Sequence, residues 1–236
     1  MNNLILSLLA VLIFSGNSWA DSITFAPTTV NRILVSGIET TGPARGPVFQ
    51  IFDGSGNLLV SRFVLNGNFT DLQAFAGKTI TSETIVVGGL ETAGLSRGPA
   101  FQVYDSAGNL LLTRFVLNPD FTEVTFTRID VNNDGVDEIL VAGRETKGLQ
   151  RGPAFQLWNG NGNLLVTRFA LNPDFTNLTV FAVDQNGIGI QEIGIGGVET
   201  KGLLRGPAYQ IFESNGTLLL TRFALNPNFS SAGPLP

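Results

Sequence analysis

Residues 151–169 read RGPAFQLWNGNGNLLVTRF, and close variants of this segment occur at three other places in the chain. The Arg-Gly-Pro start is found at Arg45, Arg97, Arg151 and Arg205, so the steps between copies are 52, 54 and 54 residues. An Arg-Phe pair, a Leu-Asn pair and a further phenylalanine follow in each copy. Repetition at such a period is the signature of a repeat architecture, so the 236-residue chain is expected to contain four similar structural units.

The third unit predicts four short strands, at residues 124–130, 138–144, 153–159 and 164–171. Turn sequences rich in Gly, Pro, Asn and Asp separate them. Side chains alternate along a strand, and both faces of the last two strands are largely apolar. A sheet that needs burial on both faces must lie between neighbours. The pattern therefore predicts an all-β fold, a β-propeller of four four-stranded blades.

Closure of the propeller is a separate question. A closed ring leaves no apolar end face exposed to water, which favours self-closure of the four blades. An open propeller, or one completed by a second copy of the chain, is the alternative. We expect a single propeller domain at residues 21–236, with repeats at about 22–70, 71–122, 123–176 and 177–230.

The first 20 residues differ from the rest of the chain. Residues 4–14 are an apolar run, and the small residues Ser18 and Ala20 then fit the cleavage pattern of a secretory signal peptide. The run is shorter than the ~20 residues that a bilayer span needs. We expect a protein that is secreted or periplasmic, with no membrane span after cleavage. A retained N-terminal anchor is the alternative.

The composition excludes several classes of chemistry. The chain has no His and no Cys, so a Ser-His-Asp triad, a Cys nucleophile and a His/Cys metal site are all ruled out. A net charge of −5 without any basic run argues against a nucleic-acid partner. An enzyme would have to use carboxylates, for example a pair across a polysaccharide cleft. The repeated acids are near-equivalent copies of one position, so we expect a protein that is not an enzyme.

One loop of the third unit has the composition of a metal site. It runs Asp130-Val131-Asn132-Asn133-Asp134-Gly135-Val136-Asp137-Glu138. The predicted ligands are the side chains of Asp130, Asn132, Asp134 and Glu138 and the carbonyl oxygen of Val136. An all-oxygen set of this kind favours Ca²⁺. The alternative is an Asn/Asp-rich turn that needs no metal.

The corresponding loop of the fourth unit begins at Asp184 and ends at Glu192. It carries Ile188 where the third unit has Asp134, so it lacks one carboxylate and is expected to bind calcium poorly. We therefore expect one calcium site.

These loop residues, with the Glu138-Ile139-Leu140-Val141 that ends them, resemble FG-GAP/VCBS-type repeats, the units of integrin-α-like β-propellers. The Arg-Gly-Pro-Ala-Phe-Gln and Asn-Pro-Asp-Phe segments also look like bacterial extracellular versions of that repeat, and the resemblance spans residues 22–230. It implies calcium in such loops, an extracytoplasmic address and an adhesive or ligand-binding role, but no single activity. Propellers of this family often have seven blades, whereas this chain has four units.

Two sets of charged residues recur with the repeat. Arg168 lies on an otherwise apolar strand face, and Arg62, Arg114 and Arg222 are its counterparts. Glu145 recurs as Glu39, Glu91 and Glu199. Because a charge on an apolar face needs a partner, we expect each arginine to pair with one of these glutamates. The recurrent phenylalanine at positions 69, 121, 175 and 229 is expected to fill space between blades.

A meander brings the loops after its second and fourth strands to one face. That face would present Thr and Arg groups four times around a ring: Thr40, Arg45, Thr92, Arg97, Thr146, Arg151, Thr200 and Arg205. Such groups can hydrogen-bond sugars or carboxylates, and repeated weak sites on one rigid body give avidity. The sequence therefore predicts an exported calcium-binding module for adhesion to a surface glycan or protein, with a homo-oligomer left open. A structural envelope or assembly component and a carboxylate-based polysaccharide-active enzyme are the alternatives.

Overall fold

The structure is a computed structural model that describes residues 23–27, 32–41, 45–79, 82–94, 97–148, 151–185, 187–201 and 206–224. This part of the chain is all-β and contains four antiparallel sheets of four strands each. No helix occurs in it, and hence none that is long and apolar enough to cross a bilayer. The predicted signal peptide at residues 1–20 lies outside the described residues.

The strands follow one another in the order of the sequence. Sheet one contains β1 (Ile23–Pro27), β2 (Ile33–Glu39), β3 (Gly46–Phe52) and β4 (Leu58–Phe63); sheet two contains β5 (Phe69–Lys78), β6 (Glu83–Glu91), β7 (Gly98–Asp105) and β8 (Leu110–Phe115). Sheet three contains β9 (Phe121–Ile129), β10 (Glu138–Glu145), β11 (Gly152–Trp158) and β12 (Leu164–Phe169); sheet four contains β13 (Phe175–Val183), β14 (Glu192–Glu199), β15 (Gly206–Phe212) and β16 (Leu218–Phe223). The repeated sequence thus folds into a repeated sheet, as predicted.

The first strand of the third unit begins three residues earlier than the sequence indicated. Glu123 has a positive φ of 52° and occupies a β-bulge, where the pairing between β9 and β10 shifts register. The extra residue of a bulge lets the ladder continue past the irregularity. Asp71 and Asn177 have φ values of 54° and 53° at the same place in sheets two and four, so the bulge belongs to the repeat.

Consecutive sheets stack face to face. We call the face of a sheet that is turned toward the next sheet its leading face, and the opposite face its trailing face. Three aromatic pairs cross the junctions between the sheets: Phe49–Tyr104 with ring centroids 5.1 Å apart, Phe101–Trp158 at 6.1 Å and Phe155–Phe212 at 5.0 Å. In each pair the first ring lies on a leading face and is fully buried, so these aromatics form the repeated core of the stack.

Small and large side chains alternate across the junctions. Gly88 on the leading face of sheet two lies beneath the ring of Phe126 on the trailing face of sheet three, and a Cβ built on Gly88 would lie 2.8 Å from three atoms of that ring. The equivalent pair at the next junction is Ala142 and Val180, which belong to one buried cluster. A smaller side chain on one sheet faces a larger side chain on the other, so the summed volume of the two side chains sets the distance between the sheets.

The described sheets form a propeller-like array that hydrogen bonds do not close. The main packing contacts join sheet one to two, two to three and three to four, while sheets one and four of the described chain do not pack against each other as a pair. The first strands of sheets two, three and four lie closest to the preceding sheet, since they make most of the contacts across each junction.

Candidate functional site

The predicted metal loop connects β9 to β10. Its carboxylates accept hydrogen bonds from backbone N–H groups of the same loop. The Gly135 N–H donates to Asp130 Oδ2 at 3.0 Å, which closes the turn across five residues. Gly135 has a φ of 76°, in the left-handed region that glycine tolerates best. The other oxygen of Asp130, Oδ1, is buried and has no hydrogen-bond partner. A buried carboxylate oxygen without a donor is costly unless a proton or a cation satisfies it.

The remaining predicted ligands lie along the same turn. Asn132 Oδ1 accepts from the Asp134 N–H at 3.1 Å, and Asp134 Oδ1 accepts from the Val136 N–H at 2.8 Å. Glu138 is 5% exposed, and its Oε2 accepts from the Val131 N–H at 3.2 Å. The structure therefore brings all five predicted residues into one compact loop.

These side chains accept backbone N–H groups, and Asn132 Nδ2 also donates to Asp134 Oδ2 at 3.0 Å. In the described part of the chain, no three carboxylates gather closely enough to hold a metal ion. Burial raises the pKa of Glu138, and the nearby carboxylates of Asp134 and Asp130 raise it further. The donor set is rich in hard oxygens and mutually repulsive, so a cation fits it chemically, although binding would require the carboxylates to turn inward.

The loop also links three sheets. On one side the Lys78 N–H donates to Asp137 Oδ2 at 2.7 Å, and the Asp137 N–H donates to the Lys78 carbonyl at 2.8 Å. On the other side the Asp130 N–H donates to Gln191 Oε1 at 2.8 Å, and the Gln191 N–H returns to the Asp130 carbonyl at 3.1 Å. Since Lys78 belongs to sheet two and Gln191 precedes sheet four, the geometry of this loop is coupled to two junctions.

The fourth unit has the same turn with a different side chain at one position. The Gly189 N–H donates to Asp184 Oδ2 at 2.8 Å, and the Gln185 N–H donates to Glu192 Oε2 at 3.0 Å, as their counterparts do in the third unit. Ile188 replaces Asp134 and is 59% exposed. Asn186, the counterpart of Asn132, lies outside the described residues. The turn therefore forms without a carboxylate at the position of Asp134. This carboxylate is not needed for the fold of the loop, so its predicted role is to bind the cation.

The predicted pairing of the repeated arginines with the repeated glutamates is wrong where the structure describes both groups. The glutamates accept hydrogen bonds from asparagine amides of the Leu-Asn motif: Asn66–Glu91 at 2.7 Å, Asn118–Glu145 at 2.9 Å and Asn172–Glu199 at 2.6 Å. Their place at the end of the second strand puts them beside the loop that leads into their own sheet. The second oxygens of Glu91 and Glu199 are buried without a partner, so no arginine reaches them.

Two of these arginines instead bind the backbone of the next sheet. Arg62 Nε donates to the Gly108 carbonyl at 3.1 Å, and Arg114 Nε donates to the Gly162 carbonyl at 2.9 Å. Both glycines lie in the tight turn between the third and fourth strands, and both have a positive φ. The guanidinium groups stay partly exposed at the rim of each junction, so water shares in their solvation and no carboxylate is needed.

The predicted ligand-binding residues that the structure describes lie in the loops after the second strand of each sheet, at the end of the sheets opposite the metal loop. Those within the described residues, Thr40, Arg45, Thr92, Arg97, Thr146, Arg151 and Thr200, are all exposed, and Arg205 lies outside the described residues. Three of the threonines also have a structural role, because their hydroxyls donate to carbonyls of the preceding loop: Thr92 to Asn68 at 2.9 Å, Thr146 to Asp120 at 2.8 Å and Thr200 to Asp174 at 2.8 Å. The arginines are therefore the groups at this face that are most available to a ligand.

The recurrent phenylalanines fill space inside the stack, as predicted. Phe69, Phe121 and Phe175 are 3%, 4% and 2% exposed. Phe229, the fourth of the series, lies outside the described residues.

Sequence reasoning missed the role of a repeated glutamine. Gln156 Oε1 accepts from the N–H of Leu117, in the connection between sheets two and three, at 2.9 Å and from Trp158 Nε1 at 3.2 Å. Gln102 accepts from Leu65 at 2.8 Å, and Gln210 accepts from Leu171 at 2.7 Å. The signal was present, because an aromatic-Gln pair recurs in every unit. Its partner is a backbone amide and leaves no mark of its own in the sequence.

No family model matches the chain, and no curated protein matches it in sequence. Among solved structures, the chain is similar to one described as a eukaryotic initiation factor, with a TM-score of 0.38 and 11% identity over 86% of this chain and 54% of the other. It is also similar to the V. cholerae biofilm matrix protein Bap1, with a TM-score of 0.34 and 16% identity over 81% of this chain and 35% of the other. The chain thus spans about half and about a third of the lengths of these two proteins. Likenesses this distant say nothing about function.

Proposed function

We propose that this protein is an exported, propeller-like binding module that holds one calcium ion in the loop at residues 130–138 and attaches to a surface glycan or protein without catalysing a reaction. Each sheet would be one blade of the propeller. Export rests on the sequence of residues 1–20 and the calcium on the oxygen-rich loop. The binding role rests on the exposed arginines at the opposite end of the sheets.

One observation supports calcium above the others. Asp130 Oδ1 is buried and unpartnered inside a turn in which one oxygen each of Asn132, Asp134 and Glu138 already accepts a backbone N–H group. When bound, the ion would supply positive charge at that oxygen. Asp130, Asn132, Asp134, Glu138 and the Val136 carbonyl would hold it. Because the same loop bonds to Lys78 and Gln191, calcium would stiffen two junctions of the stack rather than touch a ligand.

Exchange of residues between the third and fourth loops tests the calcium site. We expect calcium to raise the melting temperature of the wild type, since a ligand at 100 times its Kd contributes about 2.7 kcal/mol. Asp134→Ile, which copies the fourth loop, should abolish that rise. Ile188→Asp, which copies the third loop, should add a second calcium equivalent in a titration. Asp105→Ala, in the turn between β7 and β8 of sheet two, is the matched control and should keep the full calcium response. An equal rise in wild type and Asp134→Ile would refute the site.

The binding role is tested on an array of surface glycans and by pull-down from envelope extracts. Arg97→Ala and Arg151→Ala should each weaken binding, and the double variant should lose more than either single change because the sites act together. Asp53→Ala, at the opposite end of sheet one, should bind as the wild type does. Binding to neither glycans nor envelope proteins, with and without calcium, would contradict the proposal.

A further inference from the structure

The trailing face of sheet one is apolar and open. Ile33 is 47% exposed, whereas its counterparts on the trailing faces of sheets two, three and four, Ile85, Ile139 and Ile193, are 0%, 3% and 0% exposed. Val35, beside it on the same face, is partly exposed, although its counterparts are fully buried. The repeat therefore provides an internal standard: this surface has the composition of a buried junction but lacks a covering sheet among the described residues.

The aromatic series leaves one ring at each end of the stack without a partner in a neighbouring sheet, although Tyr209 contacts Phe181 of its own sheet with the ring centroids 6.4 Å apart. Phe52 on sheet one corresponds in register to Tyr104, which meets Phe49 of the preceding sheet. Tyr209 on the leading face of sheet four corresponds to Phe155, which meets Phe212. Both end rings are partly exposed. A fourth pair, Tyr209 with Phe52, would continue the series.

At the ends of the described stack, Arg222 has no turn of a following sheet beside it, and the Gly56 turn has no arginine of a preceding sheet beside it. A Cβ built on Gly108 or Gly216 would lie against the arginine of the preceding sheet, whereas a Cβ built on Gly56, in the equivalent turn of sheet one, meets nothing within 4 Å. All four arginines of this series, Arg62, Arg114, Arg168 and Arg222, donate from Nη1 to the carbonyl of the residue before them, so this bond of Arg222 belongs to the repeat. The described residues offer the Nε of Arg222 no turn of a following sheet.

The repeated glutamine of sheet one, Gln50, keeps the side-chain hydrogen bond within its own sheet but has no backbone donor among the described residues. Gln50 Nε2 donates to Ser61 Oγ at 3.3 Å, as Gln102 donates to Thr113. No backbone amide of the described residues donates to Gln50 Oε1; the residue at the repeat position of the donors Leu65, Leu117 and Leu171 is Leu225, which lies outside the described residues. Three features of the repeat thus lack a partner at the ends of the described stack: the apolar face and the Gly56 turn on sheet one, and the aromatic rings on sheets one and four.

We propose that a second copy of this chain packs against the first, with the leading face of sheet four of each copy on the trailing face of sheet one of the other. Tyr209 then meets Phe52, and Arg222 binds the Gly56 turn. Two-fold symmetry makes the two junctions identical, so the assembly closes as a ring of eight sheets, within the roughly 4–8 blades that propellers contain. A second copy satisfies these contacts without bending the stack, in which sheets one and four of one chain do not pack together.

Cysteine cross-linking tests the order of the sheets, since the chain has no natural cysteine. A Cβ built on Gly216 would lie 2.8 Å from Cγ of Arg168, within reach of a disulfide, so the end pair should be equally close in the proposed junction. Two single variants of the full chain, Gly56→Cys and Arg222→Cys, are expressed and purified separately. Oxidation of a mixture of the two should give covalent dimers, and oxidation of either alone should not. A chain with both Gly216→Cys and Arg168→Cys is the positive control and should form its bond within one chain.

Light scattering and sedimentation give the mass and the affinity. The wild type should have twice the mass of one chain. Arg222→Ala should weaken the dimer about 100-fold, because each of two junctions loses a hydrogen bond to a charged donor that contributes roughly tenfold. Arg168→Ala, the matched interior change, should lower the melting temperature and leave the dimer affinity unchanged.

Three results would overturn the proposal. The first is a wild type that stays a single chain at every concentration. The second is an intrachain bond at monomer mass in a chain with both Gly56→Cys and Arg222→Cys, which would show that the chain closes on itself or that a terminal segment leaves the ends close. The third is a mass that keeps growing with concentration, which would indicate an open filament. None of these results depends on calcium or on a glycan, so they leave the proposed function to its own tests.

Discussion

The reciprocal sizes of Gly88 and Phe126 predict how this junction responds to substitution. In Gly88→Ala the new methyl group would lie 2.8 Å from the ring, so the ring or a sheet must move roughly 0.6 Å to reach the 3.4 Å of ordinary contact. Overpacking of this kind costs about 1–3 kcal/mol. In Phe126→Val the loss of a buried ring leaves a cavity, which costs about 2–3 kcal/mol.

The double variant is expected to lose less unfolding free energy than the two single variants lose together. Gly88→Ala with Phe126→Val recreates the pair Ala142 and Val180, which the next junction already uses. We expect a favourable coupling of at least about 1.5 kcal/mol, since the smaller side chain removes the clash and the methyl group fills part of the cavity. Urea denaturation followed by the fluorescence of Trp158, which lies at this junction, measures all four free energies of unfolding. A Gly88→Ala variant as stable as the wild type, or strict additivity in the double variant, would refute the reasoning.

Two further predictions follow from single positions. Burial raises the pKa of Tyr104 from 10.0 to about 12, so the folded state favours the neutral phenol. The stability that this phenol contributes is complete below pH 10 and should fall as the pH rises toward 12. In Tyr104→Phe, denaturation measured at pH 10 and at pH 12 should show a smaller fall in stability than in the wild type. Asp71 is exposed with a φ of 54°, so Asp71→Gly should stabilise the protein by up to about 1 kcal/mol, because glycine adopts that conformation without strain. Glu123→Gly is the contrasting control, since Glu123 has the same φ but also accepts the Asn177 N–H at 2.7 Å, and calorimetry should show it destabilised; the same sign for both glycine variants would contradict the argument.

The sequence predicted the repeated sheet well because the repeat itself carried the information. Arg-Gly-Pro and Leu-Asn fixed the turns, and the third and fourth strands of the third unit differ from prediction by one or two residues at their ends. The first strand was predicted less well. Its early residues pass through a bulge at Glu123, and no residue type marks a bulge as glycine or proline marks a turn.

The charged positions were located correctly and paired wrongly. Arg62 and Arg114 bind carbonyl oxygens of turn glycines, and a carbonyl oxygen is present at every residue, so the sequence contains no sign of that choice. The amide of Asn118 and the carboxylate of Glu145 do recur in step with each other. Matching residues by their common period, rather than by opposite charge, would have found that pair.

The stacking of each sheet on its neighbours in the chain has a consequence for how such a protein can change over generations. A duplicated or deleted unit carries a whole leading face and a whole trailing face, so every remaining junction keeps its partners. The shorter step of 52 residues between the first two units, against 54 for the others, shows that length varies inside a unit. The connection between the first two strands, residues 79–82 in sheet two and 130–137 in sheet three, is four residues shorter in sheet two, while β5 and β6 are each one residue longer than β9 and β10, which leaves the net difference of two. The chain can therefore gain or lose whole sheets, or lengthen that one connection, while the spacing of its aromatic core stays constant.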